Sequence, residues 1–210
     1  MSERVLSLDI STKTGYALVV SSEESIVPES YGQIPKVPMP DGPYPEAFVE
    51  WAYQCYGQIR NLVDNLNPDI LVIEETASNS KSSHSQKILE WIHFLVAKLI
   101  KDTKIKNVYL MTGEWRSIIS AKMTKEESLH NKAVKKYKEK NNTKIAYNEA
   151  GKRIGKITKK HVPIRVANET FGKFFKEPLR KRDEDLADAL CIALAYHMRK
   201  IKVANEKKID

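Results

Sequence analysis

Glycine, cysteine and long apolar runs are what this 210-residue sequence has least of. Eight glycines are too few to build easily the paired glycine-rich loops whose backbone N–H groups cradle a nucleotide's phosphates. The two cysteines, Cys55 and Cys191, fall in predicted helices and form neither a CxxC pair nor a Cys/His cluster. That pattern excludes a recognisable zinc site and points to a reducing, cytoplasmic setting. No apolar run reaches the ~18 residues of a membrane span, and no apolar h-region follows a basic start, so neither a membrane segment nor a secretory signal is expected. What remains is 41% hydrophobic, enough for a core of one elaborated α/β domain.

Charge is present in quantity but unevenly placed. The formal net charge is +8, and the segment from Lys122 to Lys160 holds 13 Lys and Arg against 4 Glu, while the rest of the chain is close to neutral. A segregated basic block suits a polyanion, because each neutralised phosphate releases condensed counterions. A solvated Lys-rich helix and loop is the other reading of the same block.

The order of elements follows from pattern. Arg4 to Asp9 and Gly15 to Val20 read as strands joined by the polar turn Ile10-Ser11-Thr12-Lys13-Thr14, with Ser30 to Ile34 as a third strand of an antiparallel meander. Five of the nine prolines lie between Pro35 and Pro45, which makes that stretch a loop. Helices are predicted over about Glu46 to Asn65 and Ser83 to Ile100, separated by a strand from Ile70 to Glu74 and followed by another from Asn107 to Met111. This is an α/β chain: a mixed five-stranded sheet, three-strand antiparallel meander first and parallel strands after, flanked by helices. The expectation is a single domain over 1–210 with a basic insertion at about 121–160.

Four carboxylates are out of place in such a core. Asp9 ends one apolar strand and Glu74 ends another, while Asp185 and Asp188 open an Ala-rich helix. Asp9 is open between a turn residue that bonds its own backbone, a phosphate-loop residue and a metal ligand. Its turn also looks like the first phosphate loop of actin-like ATPases and sugar kinases, but Ile10-Ser11 replaces the glycine and no second glycine-rich loop follows. Glu74 directly follows the continuous run Ile70-Leu71-Val72-Ile73, the mark of a strand buried on both faces, and is preferred to Glu75, which alternation points the other way. Asp185 and Asp188 are three apart and share one helical face with Ile192 and Ala195. Capping explains Asp183; it does not explain Asp188, a turn into an apolar run. Brought together, four acids repel one another unless a cation neutralises them, and hard oxygen ligands suit Mg²⁺ or Mn²⁺. Beside a metal site, DNA becomes the better reading of the basic block.

Three stretches, Leu8-Asp9-Ile10-Ser11-Thr12-Lys13-Thr14-Gly15-Tyr16, Val72-Ile73-Glu74 and Asp185-Leu186-Ala187-Asp188-Ala189-Leu190-Cys191-Ile192-Ala193, resemble in order and spacing the RuvC-like Holliday junction resolvases of the RNase H-like nuclease superfamily, especially phage variants. Gly113-Glu114-Trp115-Arg116 and Val162 to Gly172 are similar to supporting pieces of that family. The resemblance implies an RNase H-like fold, with Asp9, Glu74, Asp185 and Asp188 as catalytic metal ligands holding two Mg²⁺ ions, for which Mn²⁺ substitutes. It implies a crossover junction endodeoxyribonuclease that makes paired symmetric nicks in a four-way junction as a homodimer, in the cytoplasm of a bacterium or phage-infected cell. Alternatives kept open are an endonuclease on flaps, forks or other branched DNA, an actin-like ATPase, and a non-catalytic nucleic-acid-binding module. Candidate phosphate contacts are Lys13, Lys81, Arg116, Lys132, Lys135, Lys136, Lys152, Arg153 and Lys156. Where bacterial members carry an aromatic wedge after the strand-end Glu, this chain has Ala77-Ser78-Asn79-Ser80.

Other residues have two readings. The stripe Ile88, Trp91, Ile92, Leu95 and Leu99 is a dimer face or core. His84 approaches a scissile phosphate or is a surface loop histidine. Trp115-Arg116 clamps DNA or fills the core. His161 reads as a helix surface residue, His197 as a helix C-terminal residue favoured by the dipole, and Cys191 as small apolar packing.

Overall fold

The computed structural model describes residues 2–75 and 83–206. Strands β1 (Glu3–Asp9), β2 (Gly15–Ser21) and β3 (Ile26–Gln33) form the antiparallel meander, and β4 (Ile70–Glu74) and β5 (Lys106–Leu110) extend the other edge of β1 in parallel. The sheet order is β3-β2-β1-β4-β5. Helices α1 (Glu46–Leu66) and α2 (Ser83–Thr103) are the crossovers between the parallel strands. Then come α3 (Thr112–Ile118), α4 (Lys125–Lys140), a hairpin of β6 (Ala146–Tyr147) and β7 (Arg153–Ile154), α5 (His161–Phe171) and α6 (Glu184–Glu206).

The sheet matches the expected five-stranded mixed order. Its third strand begins earlier than Ser30, at Ile26, and contains Pro28. An edge strand tolerates that proline because its outer N–H positions need no partner, and the β2–β3 register shifts between Leu18 and Val19.

Alternation along β1 separates two cores. Val5 packs with Ala17, Val19, Ile70 and Val72 against α5 and α6, while Leu6, Leu8 and Ile10 pack with Leu18, Leu71 and Ile73 against α1 and α2. In the second core Ile88, Ile92, Leu95 and Leu99 are buried. These four residues of the α2 stripe are therefore core, and Trp91 is partly buried against them.

Trp115 is wholly buried in the α6 layer, which makes it core filler, and Cys191 packs there too. His197 corrects its expected role. The helix runs on to Glu206, so His197 is an interior residue, buried with its Nδ1 3.0 Å from Ser21 Oγ. Burial lowers its pKa, the opposite of what a helix C-terminus would do.

The basic segment holds a helix and a short hairpin fastened at their base. Thr124 and Glu127 make a reciprocal capping box at the start of α4, and Glu127 also accepts from Arg165 Nε at 2.9 Å. Arg165 Nη2 donates to Lys122 O at 2.8 Å, and Asn131 pairs with both the N–H and the carbonyl of Ile157. The lysines of α4 are thus presented on a helix tied to α5.

One buried polar group fixes α6 on the sheet. Ser7, wholly buried on β1, places its hydroxyl 2.7 Å from Ala189 O and 3.0 Å from Ala17 O, within reach of a helix and a strand at once. Ser7→Ala is expected to cost about 1–2 kcal/mol in urea unfolding, since the lost bond is buried, with the circular dichroism spectrum unchanged.

Candidate active site

The parallel register of β1 and β4 pairs Leu8 with Ile73, so Asp9 and Glu74 are the next residues on adjacent strands. Asp9 shares the parity of Val5 and Ser7, and Glu74 that of Ile70 and Val72, so both carboxylates face the α6 layer. Helix α6 begins over the same sheet end. A Cβ on Gly15 would lie 2.0 Å from the carbonyl oxygen of Asp185, so the glycine opening β2 is demanded by the approach of this helix.

The four acids feel one another. Burial first, then the fields of Glu74, Asp188 and Asp185, hold the Asp9 carboxyl well above the usual carboxylate range. Burial, with Glu74 and Asp185 adding and Arg116 opposing, raises Asp188 to about 7. Asp185 is raised by burial, with Lys13 opposing and Glu184 adding. Glu75, by contrast, is exposed and acts on Tyr109 on β5.

Three of the acids also have protein partners. Asp185 Oδ2 lies 3.4 Å from Gln33 Nε2 and 3.7 Å from Lys13 Nζ, and both donors reach Arg182 O at 3.3 Å. Glu74 accepts from Thr112 Oγ1 at the start of α3. Arg116 Nη2 stands 3.9 Å from Asp188 Oδ1, with its guanidinium over the Trp115 ring at 4.9 Å. Lys160 pairs with Glu184 at 2.8 Å, and its charge lowers the pKa of Asp9, Asp185 and Asp188.

Among the described residues no three acidic, His or Cys side chains converge into a formed metal cage. The donor set nonetheless suits a hard divalent cation. It is all carboxylate, it carries raised pKa values that a cation would relieve, and Asp188 Oδ1 is buried without a hydrogen-bond partner.

The candidate phosphate contacts separate by place. Lys13 and Arg116 stand beside the acids. Lys132, Lys135 and Lys136 are exposed on α4, Lys135 pairing with Glu139 at 3.6 Å, and Lys152, Arg153 and Lys156 are exposed on or next to the β6–β7 hairpin. Lys81 and the Ala77-Ser78-Asn79-Ser80 stretch lie outside the described residues. His84 is in the first turn of α2, exposed, with its ring 5.7 Å from that of Phe48. His161 opens α5 and pairs through Nδ1 with Thr158.

Sequence reasoning missed Gln33, Thr112 and Lys160. Lys160 carried a weak signal as the last residue of the basic block before α5, yet nothing separates it in sequence from Lys159. Gln33 and Thr112 carried none, since their place comes from sheet pairing and the start of α3.

No protein-family model matches the sequence, and no curated protein does. Solved structures do. RuvC of Thermus thermophilus in complex with Holliday junction substrate aligns over 93% of both chains with a TM-score of 0.60 at 13% identity. This chain has the fold of the RuvC-like Holliday junction resolvases. A second Thermus thermophilus RuvC structure aligns over 93% of both chains with a TM-score of 0.59 at 14% identity. Ydc2, the yeast mitochondrial Holliday junction resolvase, aligns over 95% of this chain and 80% of its own with a TM-score of 0.50 at 11% identity. The RuvC fold accounts for the meander, the parallel extension and the flanking helices.

The raised carboxyl pKa values set a pH dependence. An acid whose folded pKa lies above its unfolded value favours the folded state at low pH, and that contribution is lost as pH rises through the folded value. Without divalent ions, thermal stability is expected to fall as pH rises from about 4, the unfolded carboxyl value, through the value of about 7 to which Asp188 is raised. Differential scanning calorimetry should show Mg²⁺ raising Tm at the upper pH and barely at the lower, and Asp188→Asn should flatten the metal-free profile.

Proposed function

We propose that this protein is a metal-dependent, structure-selective DNA endonuclease that resolves four-way junctions by paired symmetric nicks, a crossover junction endodeoxyribonuclease. The observation that carries the reading is the placement of Asp9 and Glu74 at the ends of adjacent parallel strands under the start of α6, which carries Asp185 and Asp188. The RuvC fold and the segregated basic segment support it.

Asp9, Glu74, Asp185 and Asp188 would hold two Mg²⁺ ions, or Mn²⁺ in their place. Bound there, the metal would supply a water of lowered pKa and charge neutralisation on the phosphodiester. Asp9, on which the other three acids all act, would be among the groups whose charge a bound cation relieves. Lys13 and Gln33 hold Asp185, Thr112 holds Glu74, and Arg116 balances Asp188, so three of the four carboxylates have side-chain partners before substrate arrives. Lys160 adds positive charge at the mouth, where an incoming phosphate needs it.

The domain is one nuclease unit, 1–210, with an insertion at about 121–160 whose Lys132, Lys135, Lys136, Lys152, Arg153 and Lys156 contact phosphates away from the cut. Lys13, Arg116 and Lys81 contact phosphates near it. Paired nicks need two sites, hence a homodimer. With the α2 stripe buried in the core, the face for a second copy is the exposed apolar patch of Val49 and Tyr53 on α1 and Phe94 on α2, the last 71% exposed. Among the described residues no helix is long and apolar enough to cross a membrane. We place the activity in the cytoplasm of a bacterial or phage-infected cell.

The test is cleavage of labelled four-way junction, flap and linear duplex with Mg²⁺, alongside an ATP hydrolysis assay. Symmetric junction nicks are expected, and Asp9→Asn or Asp188→Asn should lower their rate roughly a thousandfold or more, the scale of several kcal/mol of lost transition-state stabilisation. Equal cutting of flap and junction would move the reading to branched DNA in general, and ATP turnover without DNA cleavage would sink it. Removing Lys132, Lys135 and Lys136 should weaken binding to all sequences alike and reduce the salt slope by about one per lysine. Phe94→Glu should give a monomer in sedimentation.

A further inference from the structure

We propose that the loop between α5 and α6, from Gly172 to Asp183, is a second phosphate-binding surface, on which Lys176, Lys181 and Arg182 grip the DNA backbone where it adjoins the four acids. This inference rests on the nuclease reading and deepens it, because it names a stretch of substrate that the basic insertion does not account for.

Summed charge along the chain hides this surface. The residues outside the basic insertion are close to neutral in total, yet the loop carries Lys173, Lys176, Arg180, Lys181 and Arg182 against only Glu177 and Asp183. All five basic residues are exposed, the Arg182 side chain 75% so. Arg180 pairs with Glu177 at 3.2 Å and Arg182 with Asp183 at 3.8 Å, while among the described residues Lys176 and Lys181 have no ion-pair partner. Lysines that serve only solubility need no ordered backbone beneath them, and this backbone is fastened along its length. Tyr31 Oη donates to Phe174 O at 2.8 Å, and the Tyr31 ring meets that of Phe175 edge-on at 5.3 Å. Asn168 on α5 accepts from Leu179 N–H at 2.8 Å and donates to Leu179 O at 3.1 Å. Arg180 N–H donates to Asp183 Oδ2 at 2.8 Å, and Asp183 N–H donates back to Arg180 O at 2.9 Å. The backbone is thus ordered before any anion arrives, so binding one costs little further chain entropy.

Position identifies the anion. The loop ends two residues before Asp185, and its Arg182 carbonyl takes hydrogen bonds at 3.3 Å from Lys13 Nζ and Gln33 Nε2, the same two donors that face the Asp185 carboxylate. Through Phe174 and Phe175 its other end packs on β3, an edge of the sheet. The basic insertion leaves the fold from α3, which follows β5 at the opposite edge, so the two basic surfaces start from either side of the strands that carry Asp9 and Glu74. A DNA strand with one phosphate at the acids must run on in both directions. Five cations against two acids favour a path over this loop, since each phosphate neutralised there releases condensed counterions. The side chains of Lys176, Lys181 and Arg182 do this by charge alone, while the Arg182 main chain keeps Lys13 and Gln33 in place.

The experiment combines Lys176→Ala, Lys181→Ala and Arg182→Ala in the full chain, with Asp188→Asn added in binding assays so that nothing is cut. Binding to a four-way junction is measured against salt, and the phosphates are ethylated one at a time to find those whose neutralisation weakens binding. The triple variant is expected to bind roughly 10-fold more weakly or worse, with the salt slope reduced by about one per cation removed. It should lose the interference at phosphates adjoining the cut and keep that which depends on Lys132, Lys135 and Lys136. Without Asp188→Asn, its single-turnover cleavage rate at saturating protein should match the wild type, because alanine retains the Arg182 carbonyl. Lys202→Ala, an exposed lysine near the far end of α6, controls for net charge and should leave the slope unchanged. An unchanged slope in the triple variant, an equal loss per charge in Lys202→Ala, interference lost only at phosphates remote from the cut, or a lower saturating rate would each overturn the proposal. If wild-type protein neither binds nor cuts junctions, the nuclease reading falls and this inference with it; if it binds and cuts them and the triple variant binds as tightly, this inference alone falls.

Discussion

The close seam between α6 and the β1–β2 hairpin holds the acidic site together. Helix α6 can bring Asp185 and Asp188 over the strand ends only because Gly15 has no side chain to keep Asp185 away and Ser7 meets Ala189 O from beneath. Packing along that seam buries Ala187, Ala189, Leu190, Ile192 and Ala193 wholly or nearly so, and this apolar burial offsets the cost of setting four like charges side by side. The small residues of the helix are part of the same constraint, since bulkier ones would lift it from the sheet. The acids are thus brought to one sheet end by the core, and the raised pKa values of Asp9, Asp185 and Asp188 record the strain.

That strain makes the site responsive to cations. Lys13, Arg116 and Lys160 partly neutralise the cluster without closing it, and Asp188 Oδ1 is left without a hydrogen bond. A site fully satisfied by its own side chains would have no affinity left for metal or phosphate. The β1–β2 turn then stands between two different surfaces, charged toward α6 and aromatic toward α1 and α2.

Much of the fold was legible because the patterns were strong. The apolar run before Glu74, the polar turn after Asp9 and the proline cluster from Pro35 to Pro45 each have one physical reading, and the strands and loops fell where those readings put them. Glu74 rather than Glu75 follows from alternation, and the structure leaves Glu75 exposed. The early start of β3 was hidden by Pro28, which local rules count against a strand and which an edge position permits.

Period and spacing along the chain determined which faces are apolar, where carboxylates end strands, and that Asp185 and Asp188 share a helical face, because these depend on backbone geometry within one element. They could not determine what each face meets. The α2 stripe read equally as interface or core until the α1–α2 packing buried it, and His197 read as a terminal residue until Ser21 appeared beside it. Gln33, Thr112 and Lys160 reach the acids from three separate elements, and an aromatic cleft gathers Tyr44, Trp51 and His84 from two helices and a loop. Contacts between residues far apart in sequence are set by how the layers close, and that is decided only when the whole core packs.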